Sequence, residues 1–347
     1  MSISSSDIWQ HLNGLTKPPG SLGRLEELAA RLCEVQQTLS PQTFPRRLVI
    51  FAGDHGVASA GVTVWPSAVT NLMLVNMCRG GAASTVLARQ SGTEVVLVNV
   101  GSMDDPITEP PTENSGIRYH SRRVCHGTRN LAIEPALTVD EFRQAWMIGE
   151  DEARSAAEDG VKVVIGGEMG IGNTTPASCL AMLLGDVLLA NAVGRGAGAN
   201  ETSLSHKRNV VEQAVARARE IWERDPVAAI ASVAGLEIVA MAGFFVEARR
   251  RGLTIILDGA VASSAALIAD YQSPGVSRSM IAAHLSTEPA HRAVLERLNL
   301  TPFLDWNMRL GEGTGALLLL PLLDAASAMI SKMATLKSFG ISPREDS

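Results

Sequence analysis

Aromatic side chains are scarce, at 4% of 347 residues. Any core must therefore be built from Ala, Val, Leu and Ile. With 46% hydrophobic and 19% charged residues there is enough apolar material for a sizeable one, which excludes a disordered chain. Positive charge is not in excess: 30 Lys and Arg stand against 36 Asp and Glu, a formal charge of -6. The bulk electrostatic footprint of a nucleic-acid binder is therefore missing. Cysteine is rare, and Cys33, Cys78, Cys125 and Cys179 lie far apart with no C-x-x-C pair. That argues against a zinc site or a disulfide framework and for a reducing compartment. The 31 Gly and 16 Pro follow no fixed period, so collagen-like and low-complexity classes drop out. Residues 1–14 are polar and lack the apolar segment of a secretory leader.

A clean membrane span is also missing. Val227–Val246 comes nearest, followed by Arg249, Arg250 and Arg251 in the manner of a positive flank. Glu237 sits at its middle, and Gly235 and Gly243 interrupt it. A charge at the bilayer centre costs roughly 2.5 kcal/mol or more. The segment reads as one or two helices buried in a soluble protein, with no membrane partner.

What is there is a repeated pattern: a short apolar, β-rich run, a Gly or Asp at its end, then a helical stretch. Leu48–Ala52 ends at Gly53-Asp54-His55-Gly56, Glu94–Val100 at Gly101, Val161–Ile165 at Gly166-Gly167-Glu168, and Leu253–Leu257 at Asp258-Gly259. Met280–Leu285, before Ser286, is a weaker fifth. Such runs predict an α/β fold with a mostly parallel sheet and helices on both faces. Ligands then bind beyond the carboxyl ends of the strands, where Asp54, His55, Glu168, Asp258 and Ser286 fall. Helices are expected over Leu22–Leu39, from Thr174-Thr175-Pro176, over Ala262–Ala269, from Thr287 to about Leu298, and over Gly315–Ile330, kinked or broken at Pro321. Asp104–Asn114 reads as a loop and the end beyond Ser338 as frayed. At ~150 residues per domain the length suits two domains, or one large α/β domain with a small appendage.

Three Gly-rich segments are candidates for chemistry. Gly166-Gly167-Glu168-Met169-Gly170-Ile171-Gly172-Asn173-Thr174-Thr175-Pro176 runs from a strand through a turn into a helix start. Small residues admit a ligand close to the backbone, and the free N–H groups of a helix start attract phosphate. The plainer alternative is a tight turn without ligand, but such a turn has no need of Glu168. Arg309-Leu310-Gly311-Glu312-Gly313-Thr314-Gly315-Ala316 contains G-x-G-x-x-A as text. Leu304–Leu310 is a poor buried strand, and no ribose-binding acid follows at the usual distance, so a dinucleotide-dependent oxidoreductase is disfavoured. A carboxylate between glycines suits a general base or acid instead, or simply a helix N-terminal Glu. Gly194–Asn200, followed by His206-Lys207-Arg208, suggests a second phosphate contact or a flexible loop. It is not a G-x-x-x-x-G-K-[ST] loop, which occurs nowhere. Asp54-His55 reads as structural or substrate-positioning, Lys17 as solvated, and Arg118, Arg122, Arg123 and Arg129 as a solvated face.

Six short motifs occur in one order: T-K-P-P-G-S-L-G-R-L, A-G-D-H-G-V, G-E-M-G-I-G-N-T-T-P-A, L-D-G, H-L-S and R-L-G-E-G-T-G-A. Together, from about Leu15 to Ala334, they resemble the nicotinate-nucleotide–dimethylbenzimidazole phosphoribosyltransferases of cobalamin lower-ligand assembly. The resemblance implies a Rossmann-like domain, 41–316, with 1–40 and 317–347 forming a small helical domain, in a cytoplasmic homodimer. It implies transfer of 5-phosphoribose from nicotinate mononucleotide to a benzimidazole-type base with inversion at the anomeric carbon. No metal or cofactor is expected. The family's catalytic glutamate matches Glu312 and its second site glutamate Glu168.

The residues suit that chemistry. Glu312 would take the proton of the attacking base; Gly170, Asn173, Thr174 and Lys207 would cradle the phosphate; Glu168 and Asp258 would favour a cationic sugar. Ser286, Arg309, Gly311 and Gly313 complete the expected substrate contacts. One departure stands out. Where well-known members carry a Ser before Pro and later a Gln lining the base pocket, the matching positions are Trp65 and Met73. A larger, less polar wall bears on which base fits, a benzimidazole or a purine. A nucleotide-binding protein without activity is the remaining alternative.

Overall fold

The computed structural model describes residues 3–109, 111–112, 115–194 and 201–340. Six strands build one sheet: β1 (Arg46–Gly53), β2 (Glu94–Gly101), β3 (Ile117–Ser121), β4 (Val163–Met169), β5 (Thr254–Leu257) and β6 (Met280–Ala282). All adjacent pairs are parallel, in the order β3-β2-β1-β4-β5-β6. This is the expected α/β architecture and the doubly wound strand order. A second, two-stranded parallel sheet joins β7 (His284–Ser286) to β8 (Leu304–Met308).

The central strands are continuous apolar runs because both their faces are covered. Val49, Phe51, Val96, Val98 and Val164 point into one core, shared with the helices Val139–Glu158 and Leu236–Arg250. Leu48, Ile50, Val95, Leu97 and Ile165, one residue out of phase, point into the other. There the sheet meets the helices Ser5–Asn13, Arg24–Gln36 and Thr314–Lys332. Period-2 alternation thus partitions each strand between two cores.

Val227–Val246 is two buried helices, Pro226–Val233 and Leu236–Arg250. Phe244 and Phe245 on the second are fully buried, each contributing roughly 2–3 kcal/mol by area. Gly243 is a contact: a Cβ there would lie 2.3 Å from the Trp146 carbonyl oxygen, and one at Gly149 1.7 Å from that of Ala240. The pair lets the two helix backbones touch. Thr314–Lys332 is the described helix long and apolar enough to cross a membrane; Leu317, Leu319, Leu320 and Leu323 on it are buried in the core.

Several expectations need correction. β3 was not foreseen: Ile-Arg-Tyr-His-Ser is an edge strand with mixed exposure and no apolar run. Met280–Leu285 is divided at Ala283 between two sheets. The helix expected from Thr287 begins at His291. The Ser286 N–H donates to His291 Nδ1 and the Glu288 N–H to Ser286 Oγ, which hold the intervening residues in a turn. Pro321 does not end its helix, which runs unbroken to Lys332 with the Pro ring exposed. Lys17 is buried, not solvated, and pairs with Glu26 at 2.8 Å. Leu304–Leu310 does hold a strand, but one whose Asp305, Trp306 and Asn307 are exposed.

Candidate active site

In the sheet order the chain leaves β1 toward β2 on one side and later toward β4 on the other. The carboxyl ends of β1 and β4 therefore flank a crevice, the usual ligand position in such folds. A cavity of about 760 Å³ opens there. Trp65, Met73, Glu168, Gly170, Asn173, Thr174, Lys207, Asp258, Ser286, Arg309, Gly311 and Glu312 all line it. Of the expected site residues only Gly313 stands behind the wall, its N–H donating to Asp258 Oδ2 at 3.1 Å. Arg195–Asn200 lie outside the described residues.

Glu168 closes β4, opposite Phe51 of β1. It is buried, and the Asn173 side-chain amide donates to its Oε2. The Glu312 N–H approaches its Oε1 at 3.4 Å. Burial holds the Glu168 carboxyl well above the usual carboxylate range, and the charges of Asp258, Glu237 and Glu312 push it the same way.

Glu312 is held by backbone geometry. Gly311, Glu312 and Gly313 have φ of +88°, +60° and +78°, a left-handed run that only the two glycines adopt without cost. Ser84 Oγ, at the start of the helix Ala83–Gln90, donates to Glu312 Oε2 at 2.8 Å. Burial raises the Glu312 carboxyl, the Ser84 hydrogen bonds lower it and Asp258 raises it, leaving it above its ordinary value.

Asp258 follows β5 and caps the helix Thr314–Lys332: its oxygens accept from the Gly313 N–H and from the Ala316 N–H at 3.0 Å. It is thereby the strut behind the Glu312 loop as well as a charge on the cavity wall. Burial raises its carboxyl, against His284 and those backbone donors. His284 Nε2 lies 3.7 Å from Asp258 Oδ1. His291, behind it, is pushed down to about 3 by burial and by His284.

Two helix N-termini face the cavity, Thr174–Leu184 and Ala260–Gln272; Thr174, Ala260, Val261 and Ala262 all line it. Their N–H groups and dipoles favour an anion. Lys207, buried, donates to Thr174 Oγ1 at 2.7 Å. Burial lowers its ammonium and the Glu288 charge opposes that. This places a cation and a helix start at one end of the cavity and the two glutamates beside it. An apolar part of the lining comes from one segment: Val62, Val64, Trp65, Val69 and Met73.

The structure adds residues that the sequence did not reveal. His284, Glu288 and Leu310 line the cavity. His55 is buried and hydrogen-bonds Glu237 at 2.8 Å, 182 residues away. Its ring lies against the Gly170 turn, where a Cβ would come 3.0 Å from His55 Nε2. Asp54 Oδ2 accepts from the Met103 N–H. The Asp54-His55 motif thus supports the turn from below. The Gly311–Ala316 text does open a helix, but the strand before it is the exposed β8.

A family model described as phosphoribosyltransferase matches residues 3–341. The nicotinate-nucleotide–dimethylbenzimidazole phosphoribosyltransferase of Ralstonia nicotianae is 44% identical, over 94% of this chain and 90% of its own. That of Chlorobaculum parvum is 39% identical, over 100% of this chain and 96% of its own. The crystal structure of CobT from Thermus thermophilus superposes with a TM-score of 0.91 at 39% identity, covering 98% of this chain and 99% of that one. This chain belongs to the nicotinate-nucleotide–dimethylbenzimidazole phosphoribosyltransferase family. The phosphoribosyltransferase motifs lie around the crevice: G-E-M-G-I-G-N-T-T-P-A supplies Glu168, Asn173 and Thr174 to the cavity wall, R-L-G-E-G-T-G-A supplies Arg309 and Glu312, and L-D-G supplies the strut between them.

Proposed function

We propose that this enzyme transfers the 5-phosphoribosyl group of nicotinate mononucleotide to a benzimidazole-type base, releasing nicotinate and forming the α-riboside 5′-phosphate of a cobalamin lower ligand. The observation that carries the reading is the pairing, in one cavity, of Glu312 and Glu168 with the Lys207–Thr174 contact at a helix start. The phosphate is read against Lys207, Thr174, Asn173 and Gly170. Glu168 and Asp258 lie where negative charge would favour a cationic anomeric carbon. One base nitrogen attacks that carbon as its C–N bond to nicotinate breaks, which inverts the centre. Glu312 takes the proton from the other nitrogen. Its raised carboxyl suits a base working near neutral pH. Nicotinate leaves with a neutral ring nitrogen, so no acid is needed there. Ser286, Arg309 and Gly311 complete the substrate contacts, Gly313 supports the Glu312 loop from behind, and Trp65 and Met73 wall the acceptor base.

The division into a sheet domain, 41–316, and a helical unit of 1–40 and 317–347 is part of this reading. It draws on the packing of Arg24–Gln36 against Thr314–Lys332; residues 341–347 lie outside those described. A cytoplasmic homodimer is proposed with it. Val64, Trp65 and Leu72, exposed apolar side chains on the segment walling the cavity, are surface that a second copy would cover.

The test is an end-point assay. Purified protein is incubated with nicotinate mononucleotide and dimethylbenzimidazole, benzimidazole, a hydroxybenzimidazole or adenine, and mass spectrometry follows nicotinate and the riboside phosphate. Product with a benzimidazole is the expected result, and the ranking reports what Trp65 and Met73 select. Nucleotide binding without nicotinate release from any base would make the protein an inactive binder.

A further inference from the structure

The Gly311–Gly313 loop fixes where the Glu312 backbone lies, through the Thr314 N–H on the Gly311 carbonyl at 3.0 Å and the Gly313 N–H on Asp258. It does not fix the carboxylate. That falls to a helix start 228 residues away in sequence. The helix Ala83–Gln90 begins from Ala82, which supplies no side-chain cap. An N-terminus without a cap leaves N–H donors unsatisfied. Glu312 stands at that helix start: its Oε2 accepts from Ser84 Oγ at 2.8 Å. Ser84 is fully buried and does not line the cavity, so it holds the carboxylate from behind.

We propose that Ser84 is a positioning residue of the transfer reaction: with its helix start it keeps the Glu312 carboxylate ionised and aimed at the acceptor base. The groups facing Glu312 define what Ser84 works against. Asp258 and Glu168 are like charges, with His284 beside Asp258 and Arg309 three residues before Glu312. Burial and Asp258 favour the neutral acid; the Ser84 donors are what favour the carboxylate. Without them Glu312 would hold its proton to higher pH and be lost as a base at the acid end of the working range. The proposal rests on Glu312 being the base.

The experiment compares pH–rate profiles of kcat for the wild type, Ser84→Ala and Ser84→Thr, with thermal melts as the control for folding. Ser84→Ala should move the acid limb up by about one pH unit, lowering kcat about tenfold on the acid side while rates converge at alkaline pH. Ser84→Thr, which keeps the hydroxyl, should restore the limb. A folded Ser84→Ala whose profile overlays the wild type, or whose loss is equal at every pH, overturns the proposal. If Ser84→Ala does not fold, Ser84→Cys, a similar shape with a weaker donor, should show the same upward movement, and its absence overturns the proposal equally. A carbon-13 titration of the Glu312 carboxyl separates this from the reading beneath it. Glu312→Gln with wild-type turnover removes Glu312 as base, whereas a carboxyl midpoint that does not rise in Ser84→Ala removes Ser84.

Discussion

The two ends of the central sheet both carry charged side chains and arrange them in opposite ways. At the amino ends, Arg47 of β1 bonds Glu94 of β2 at 2.7 Å and Asp159 at 2.6 Å. Arg46 bonds Asp324 at 2.9 Å, and Arg118 of β3 reaches Glu94 at 2.8 Å. Each of these cations meets an anion. At the carboxyl ends Glu168, Asp258, Glu312 and Glu237 face one another, with Lys207 and the two imidazoles of His55 and His284 among them. Charge that is neutralised holds strands together. Charge that repels and is buried is costly to the fold, so its persistence marks where the molecule does chemistry. The titrations follow: Arg47 holds the Asp159 carboxyl below its ordinary value, whereas burial and like charge hold Glu168 above.

That contrast can be broken at either end. The largest effect is expected from Glu312→Gln, which keeps shape and removes the base. Transfer should fall by two or more orders of magnitude, as general-base catalysis contributes roughly 10²–10⁴-fold, while the melting curve stays cooperative; single-turnover nicotinate release measures it. Next comes Lys207→Ala. It should raise the KM for nicotinate mononucleotide on the order of tenfold with a smaller change in kcat, because the ammonium binds phosphate in ground and transition states alike.

The smaller effects concern stability, and their signs differ. A raised carboxyl binds its proton more tightly in the folded state, so Glu168 stabilises at low pH and that support is lost as pH rises above 4.5 and through its folded value. Glu168→Gln should therefore melt higher than wild type at pH 8 and not at pH 4. Asp159 is depressed, so its contribution is present above 3.8 and is lost as pH falls through its folded value. Asp159→Asn should melt slightly lower at pH 7 and match wild type near pH 2. Equal shifts at both pH values in either variant would erase the distinction between the two ends.

β1, β2, β4 and β5 were legible because each is an apolar run buried on both faces, and the two glutamates because a carboxylate in a Gly-rich turn has no structural need to be there. β3 was hidden because an edge strand half open to solvent carries no such run. The contacts of Ser84 with Glu312 and of His55 with Glu237 were hidden for another reason. The partners lie 228 and 182 residues apart, and Ala-Ala-Ser-Thr or Leu-Glu-Ile is ordinary helix text. Asp258 was legible as a site acid but not as the cap of Thr314–Lys332, since a cap in trans leaves no spacing signal.

The left-handed backbone at Glu312 has an evolutionary consequence. A non-glycine residue there costs roughly 1 kcal/mol or more, and its carboxyl is buried at further cost. Glycine at 312 would relieve both. Selection for thermal resistance alone would discard this side chain early, while selection for turnover retains it. Libraries screened by melting temperature without a turnover readout should therefore accumulate robust, silent proteins with changes at this one codon.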